Sequence, residues 1–576
     1  MRFLRMLTNS LLAGALGAAY LTIVVLQLNP HVPLLSATTA RLYGVLTLFY
    51  GIHLAVLFYI ALVTRDFISL HALSPGWVSV RVLAWLSAAS CAGAAMLMWL
   101  NVDGLSAALN ETAVRRMTAG AAATTATALV LLGLAGAHFS FGRRGSRVGA
   151  GLLTIAVIGS LALPVAARGP GVVTVAPRLT PPVPAPLGPS PGPRVVMLLL
   201  DGASLDYIWP RAAGGRLPNF ARLLESGAVM DLATVRPTAP DPVWAVVATG
   251  MYPAKSGILG PSRYSVRGGD EPLRLLPDHC FSHALVHLGL LRREPNSPAL
   301  VQSRTLWEIL GDAGVSVGVV RWPLTYPAPP VRGFVLSDRV HELLGSMREF
   351  DDRAAFPPEA MHIARATDAQ DEAVTWLPPP SAGFTPESSA AIRDEFYGRA
   401  MRELHREWPV QFTALRYQGI DTVGHYNLRY TEPRELGDAS EEVRRQHLQV
   451  LDRYYGHIDE EIGDTLAGLA SGDLLLVVSG FGMQAPNAVK RLVARLFGDP
   501  MSGTHERAPD GFLLAYGSAV APGRRQRGSL VDVTPTVLYY LGLPVGRDMD
   551  GYARADLFRP EFAAARPIAF IPTHNR

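Results

Sequence analysis

The sequence predicts two folds in series: an all-α transmembrane bundle, then an α/β domain with a largely parallel central sheet. Three observations predict it. Five long stretches without a charged side chain fill the first 167 residues, a proline-rich spacer follows, and from residue 194 short apolar runs alternate with helical segments. The chain is 576 residues long, too long for one hydrophobic core.

The uncharged stretches run from Met6 to Leu28, Leu42 to Thr64, Val82 to Leu100, Met117 to Phe141 and Val148 to Ala167. Each is long enough to cross about 30 Å of hydrocarbon as a helix. The first is too long for the apolar core of a secretory signal, and four more spans follow it. Only 17% of the residues are charged while 49% are hydrophobic, the balance that lipid-buried helices produce. Arg2 and Arg5, then Arg65 and Arg81, then Arg143, Arg144 and Arg147 mark cytoplasmic segments, with Arg115 and Arg116 mildly opposed. This places a multi-pass protein in the cell (inner) membrane with its C-terminal domain outside the cytoplasm, on the periplasmic side. His53 and His138 fall within spans, where an ionisable group is a functional candidate. A neutral histidine packed between helices or near an interface is the preferred reading.

Residues 168–193 contain nine prolines and read as a stiff, extended linker. The boundaries that follow are a bundle over 1–167, the linker over 168–193, a domain over 194–560 with a cap insertion at roughly 260–410, and a tail over 561–576. A net charge of +4, with arginines scattered rather than striped, excludes nucleic acid as a partner. Cys91 and Cys280 are the only cysteines, which excludes a disulfide framework or a cysteine-rich zinc site.

In the domain, Arg194 to Leu200 (RVVMLLL) is a continuous apolar run between turn formers, the pattern of a strand buried on both faces. Val315–Val320, Gln411–Leu415, Leu474–Val478 and Phe512–Ala515 repeat it, and Leu217–Ser226 and Ser303–Ala313 read as helices between strands. Asp201 follows the first strand directly, where the loops of an open α/β sheet collect chemistry, so it is a ligand candidate. A turn or helix-cap aspartate is the plainer alternative.

Several blocks resemble the type I phosphodiesterase/nucleotide pyrophosphatase branch of the alkaline-phosphatase superfamily. They are VVMLLLDGASLD, LPNFARLLESGAVM, RPTAPDPVWAVVATGMYPAKSGI, the 305–338 segment ending GFVLSD, GIDTVGHYN, VVSGFGM, GTHERAPDGFLLAYG and VDVTPTVLYYLGLPVGRDMDG. They occur in the family's order over about 194–560. The resemblance implies an alkaline-phosphatase-like fold and two zinc ions, roughly 4 Å apart, that clamp a phosphoryl group while a serine or threonine attacks it. Asp421, His425 and His505 match the three ligands of one ion.

The other ion's site departs from the pattern. Asp201 matches its first ligand, but the nucleophile position, ten residues before Gly250, is Pro240, which has no hydroxyl. The adjacent Asp-His pair falls on Gly480 and Phe481, and the histidine before Gly257-Ile258 is replaced by Ser256. Thr238 and Asp241 are the nearest substitutes should the loop shift, but the flanking Pro-Val-Trp and Thr-Gly anchors fix the register. At most one zinc ion is expected.

Asp278, His279, His283 and His287 form a further candidate metal group, three imidazoles on one helix face. A surface histidine stripe is the preferred account. Three functions follow: a pseudoenzyme that binds a phosphate-ester or protein ligand, a single-ion phosphodiesterase or phosphohydrolase, or a lipid-linked phosphotransferase. The last is suggested by five spans before such a domain, but it too needs the missing nucleophile. The bilayer is the one partner common to all.

Overall fold

The structure, a computed structural model of the chain, describes all residues except 70–74, 138–145, 170–191, 278–280, 345–351, 370–373, 375, 377–384, 432–440, 488, 489, 493, 495–501, 507 and 576. It divides into two compact units, Met1–Ala176 with Ser262–Pro295, and Pro177–Pro261 with Asn296–Arg576.

The first unit is helical: α1 (Arg2–Leu28), α2 (Ala37–Leu46), α3 (Ile52–Ile68), α4 (Val80–Leu105), α5 (Glu111–Ala137) and α6 (Ser146–Arg168). A five-residue π-helical turn, Thr47–Gly51, joins α2 to α3, so the described residues contain five helices or helix pairs long and apolar enough to span a membrane. α1 is the most enclosed of them. It approaches the π turn so closely that a Cβ on Gly14 would fall 2.2 Å from the carbonyl oxygen of Gly51, the small-residue contact by which apolar helices pack without a hydrophobic driving force. The C-terminal carbonyls of α1 find a donor on another helix. Arg168 Nε donates to Leu26 O (2.7 Å) and its Nη2 to Asn29 O (2.8 Å) and to Val32 O. His53 is exposed, with Nδ1 on the carbonyl of Phe49 at 2.7 Å, and is not packed between helices. His138, Arg143, Arg144 and Cys280 lie outside the described residues; Cys91 is a buried free thiol.

Residues 262–295, which fall in the predicted cap insertion, belong to this helical unit. They form a hairpin of β3 (Arg263–Val266) with β4 (Leu291–Glu294). Side chains of the α1–α2 connection and the start of α2 hold the chain between those strands. Asn29 Oδ1 accepts from the amides of Arg274 (2.7 Å) and Leu275 (3.2 Å), and Thr38 Oγ1 accepts from those of Asp270 and Glu271 (2.9 Å each). An apolar cluster of Val25, Leu42, Leu46, Val266, Leu273 and Leu291 closes the contact. Asp278, His279 and the side chain of His283 lie outside the described residues.

The second unit is a ten-stranded mixed sheet in the order β11-β2-β10-β9-β1-β8-β5-β6-β7, with β12 also on β2. Its strands are β1 (Val195–Leu200), β2 (Ala228–Ala233), β5 (Val317–Val320), β6 (Gly333–Leu336), β7 (Ala355–Phe356), β8 (Phe412–Tyr417), β9 (Leu474–Ser479), β10 (Gly511–Tyr516), β11 (Gly523–Arg524) and β12 (Gly528–Ser529). The central strands β9, β1, β8, β5 and β6 run parallel, and β2, β7 and β10 make the antiparallel pairings.

Strand parity explains the continuous apolar runs. Val195, Met197 and Leu199 of β1 enter one core with Phe412, Ala414, Leu474, Leu476 and Val478. Leu198 and Leu200 enter the other with Leu415, Tyr417, Leu475 and Val477. With both faces covered, neither parity is free to be polar, and each buried aliphatic side chain contributes about 1.5–3 kcal/mol. The predicted helices appear as Pro218–Ser226 and Leu306–Asp312, the latter started by a Thr305/Glu308 capping box. The last residues are not a free tail. Helix Pro560–Ala565 places Phe562 on the first core, and β14 (Phe570–Ile571) pairs with β13 (Val545–Gly546).

Candidate metal centre

The carboxyl ends of β9, β1 and β8 lie side by side, Leu200 level with Ser479 on one flank and Tyr417 on the other. The loops leaving these ends carry the predicted site residues. After β8 the chain turns into the helix Gly419–Asn427, on which Asp421 and His425, four residues apart, share a face. An isolated antiparallel bridge between Gln484 and Thr504 brings His505 to the same place.

His425 Nε2 lies 3.6 Å from Asp421 Oδ2, and His505 Nε2 lies 4.0 Å from Asp421 Oδ1. One ligand atom from each of the three residues falls within 4.8 Å of the others. The imidazole centroids are 5.2 Å apart with ring planes at 65°. Each ring is anchored through Nδ1 on a backbone carbonyl, His425 on Gly503 O (2.8 Å) and His505 on Thr238 O (2.7 Å). A carbonyl only accepts, so Nδ1 donates to it and Nε2 is the ring nitrogen that faces Asp421. Asp421 is buried, and its Oδ1 has no hydrogen-bond partner.

These residues fit a divalent cation. A buried carboxylate oxygen without a donor is costly, and a cation is what it lacks. Ligand atoms on a tetrahedral zinc ion sit about 3.3 Å apart, so modest side-chain movement would bring this set onto one ion. Burial pushes the Asp421 carboxyl above its usual range, with His425 and His505 pulling it down and Asp201 adding to the rise.

The other half of the predicted centre is organised differently. Asp201 is fully buried, and both its oxygens are occupied. Oδ1 accepts from Trp244 Nε1 (2.6 Å) and Arg416 Nε (3.2 Å), and Oδ2 accepts from Arg416 Nε (3.1 Å) and Nη2. The structure brings Asp421, His425 and His505 together and leaves Asp201 outside that triad, paired with arginine. Pro240 is the first residue of the helix Pro240–Thr249 and offers a ring without a donor atom. Gly480 has no room for a side chain, since a Cβ would lie 2.3 Å from Val243 Cγ1. Phe481 is fully buried with its ring centroid 5.0 Å from that of His505.

The substitute residues are engaged elsewhere. Thr238 is buried, with Oγ1 donating to Val235 O at 3.0 Å. Asp241 Oδ2 accepts from Asn296 Nδ2 at 2.9 Å. Ser256 is buried at the end of the short helix Pro253–Ser256.

Sequence reasoning missed Arg416, Trp244 and Asp338. Arg416 had a signal: it directly follows the predicted strand Gln411–Leu415, and a charge carried into a strand buried on both faces requires a partner. Burial works against the charged guanidinium, but Asp201, Asp338 and Asp241 hold its pKa above the ordinary arginine value. Asp338, just past β6, is pushed up from 3.8 to about 6, mainly by burial, with Arg416 opposing.

A histidine/aspartate triad on the carboxyl edge of a mostly parallel sheet makes this an α/β domain with a candidate metal centre. Residues 195–499, more than half of the chain, match the family described as type I phosphodiesterase/nucleotide pyrophosphatase, and the chain belongs to that family. Among solved structures it is similar to murine ectonucleotide pyrophosphatase/phosphodiesterase 5, at 13% identity and a TM-score of 0.37 over 64% of this chain and 100% of that one. An inactive murine variant in complex with AMP and the human protein are each 13% identical, with TM-scores of 0.36 over the same shares. No curated protein matches the chain.

Proposed function

We propose that this is a multi-pass membrane protein whose phosphodiesterase-type domain lies outside the cytoplasm and acts by binding, its two-ion phosphoryl-transfer chemistry lost. The bundle anchors it, with the arginine-rich connections on the cytoplasmic side. One observation carries the reading: where the family's nucleophile and second ion belong, the chain has a proline ring, a glycine backed by Val243 and a buried phenylalanine. None offers an oxygen or nitrogen on its side chain.

The retained triad supports binding. Asp421, His425 and His505 would hold a single divalent cation, zinc by the chemistry of the donor set, and a cation there polarises a phosphate-ester oxygen. His425 and His505 are partly exposed, so the triad is reachable from solvent. This openness also favours the second reading, hydrolysis by water at a single-ion site.

Turnover separates the two. Full-length protein in detergent, given zinc or manganese and either bis-p-nitrophenyl phosphate or p-nitrophenyl phosphate, should hydrolyse neither above its His505→Ala variant. Metal-dependent hydrolysis that disappears in His505→Ala would establish the second reading and end the first.

A further inference from the structure

We infer that the Arg416 guanidinium is a resident replacement for a cation at Asp201, so that this half of the centre is closed by an internal ion pair and takes no metal. The inference rests on the family reading above and deepens it, since it names what holds the lapsed half together.

Position comes first. Arg416 lies in β8 level with Leu199, one residue short of the end of β1 at Leu200, and Asp201 follows that end directly. Its strand neighbours of like parity, Phe412 and Ala414, sit in the first core, so the side chain leaves the sheet on the face that carries Trp244. From there the guanidinium forks across both oxygens of Asp201, the planar two-point grip that arginine makes on a carboxylate.

Charge comes second. Asp201 is fully buried and the Arg416 side chain is 4% exposed. Asp241 and Asp338 add their fields to that of Asp201 at the guanidinium. A fully buried carboxylate requires a positive charge, supplied either by an ion from solution or by the chain. Here the chain supplies it. Space comes third, because Val243 stands where a side chain on Gly480 would extend, with the Trp244 ring 3.6 Å from the same point. The one group that could have carried Arg416 toward a substrate, its forked edge, is spent on Asp201. The residue therefore positions and neutralises; it does not reach a ligand.

A thermal-unfolding cycle on the full chain in detergent tests this. Arg416→Met and Asp201→Asn should each lower Tm by roughly 5 °C or more, because each leaves a buried partner unmatched. The double variant should return to within about 2 °C of wild type, and Arg416→Lys, which keeps the charge but not the fork, should fall between wild type and Arg416→Met. Should a single variant fail to fold, recovery of folded protein in the double variant carries the same message. A double variant no more stable than the worse single, or Arg416→Met as stable as wild type, overturns the inference. Binding of zinc by a His505→Ala chain that retains Arg416 overturns it as well. None of these readouts depends on turnover, so a catalytically active protein could pass this test, and an inactive one could fail it.

Discussion

The two halves of the centre share one sheet edge and differ in what they leave unsatisfied. Around Asp421 the structure leaves an acceptor unmatched: beside two imidazoles anchored through Nδ1 lies a buried carboxylate oxygen with no hydrogen-bond partner. Around Asp201 neither oxygen is left open, because Arg416 and Trp244 take them up. A working two-ion site is strained and polar. The comparison teaches that a carboxylate at this sheet edge can be satisfied from within the chain, as Asp201 is by Arg416, or left open, as Asp421 is.

Breaking the filled half should cost most. Phe481→Ala removes a fully buried ring and should destabilise the domain by about 3–5 kcal/mol in denaturant titration; a loss below 1 kcal/mol would mean that this half is not packed as core. Gly480→Ala should cost about 1–3 kcal/mol, since its Cβ meets Val243 Cγ1 at 2.3 Å, and Val243→Ala in the same chain should recover much of it. Failure of that rescue would put the obstruction elsewhere.

Protonation sharpens the contrast further. Asp338 has its pKa raised from 3.8 to about 6, mainly by burial, so the folded chain holds that proton more tightly than the unfolded chain. Its contribution to stability is fully present below about pH 4 and is lost as pH rises through about 6. Asp338→Asn, with no charge to bury, should be more stable than wild type above pH 7 by up to about 2 kcal/mol. The gap should close between pH 6 and pH 4, and a pH-independent difference would contradict the assignment. The smallest effect belongs to the open half. Asp421→Asn should abolish cation binding yet slightly stabilise the metal-free chain at neutral pH, because it removes a buried charge whose Oδ1 has no hydrogen-bond partner. Loss of stability in the metal-free state would show that Asp421 is satisfied without a cation.

Much of this was legible in the chain. Double-sided burial writes itself as uninterrupted apolar residues, so β1, β8 and β9 were visible, and the family resemblance joined Asp421 to His425. Pro240, Gly480 and Phe481 were visible as departures from the resembled family's motifs, inside anchored stretches. The partner of Asp201 was not, because a cross-strand pair separated by 215 residues has no local signature; only the isolated arginine in FTALRY hinted at it. Nor did periodicity show that residues 262–295 fold with the helical unit, since that depends on Asn29 and Thr38 capping backbone amides more than 200 residues away.

Metal stoichiometry tests the contrast most directly. Elemental analysis of the purified full-length protein after exposure to zinc and removal of loosely held ions should give one zinc per chain, and none for His505→Ala. Two zinc ions per wild-type chain would contradict the account.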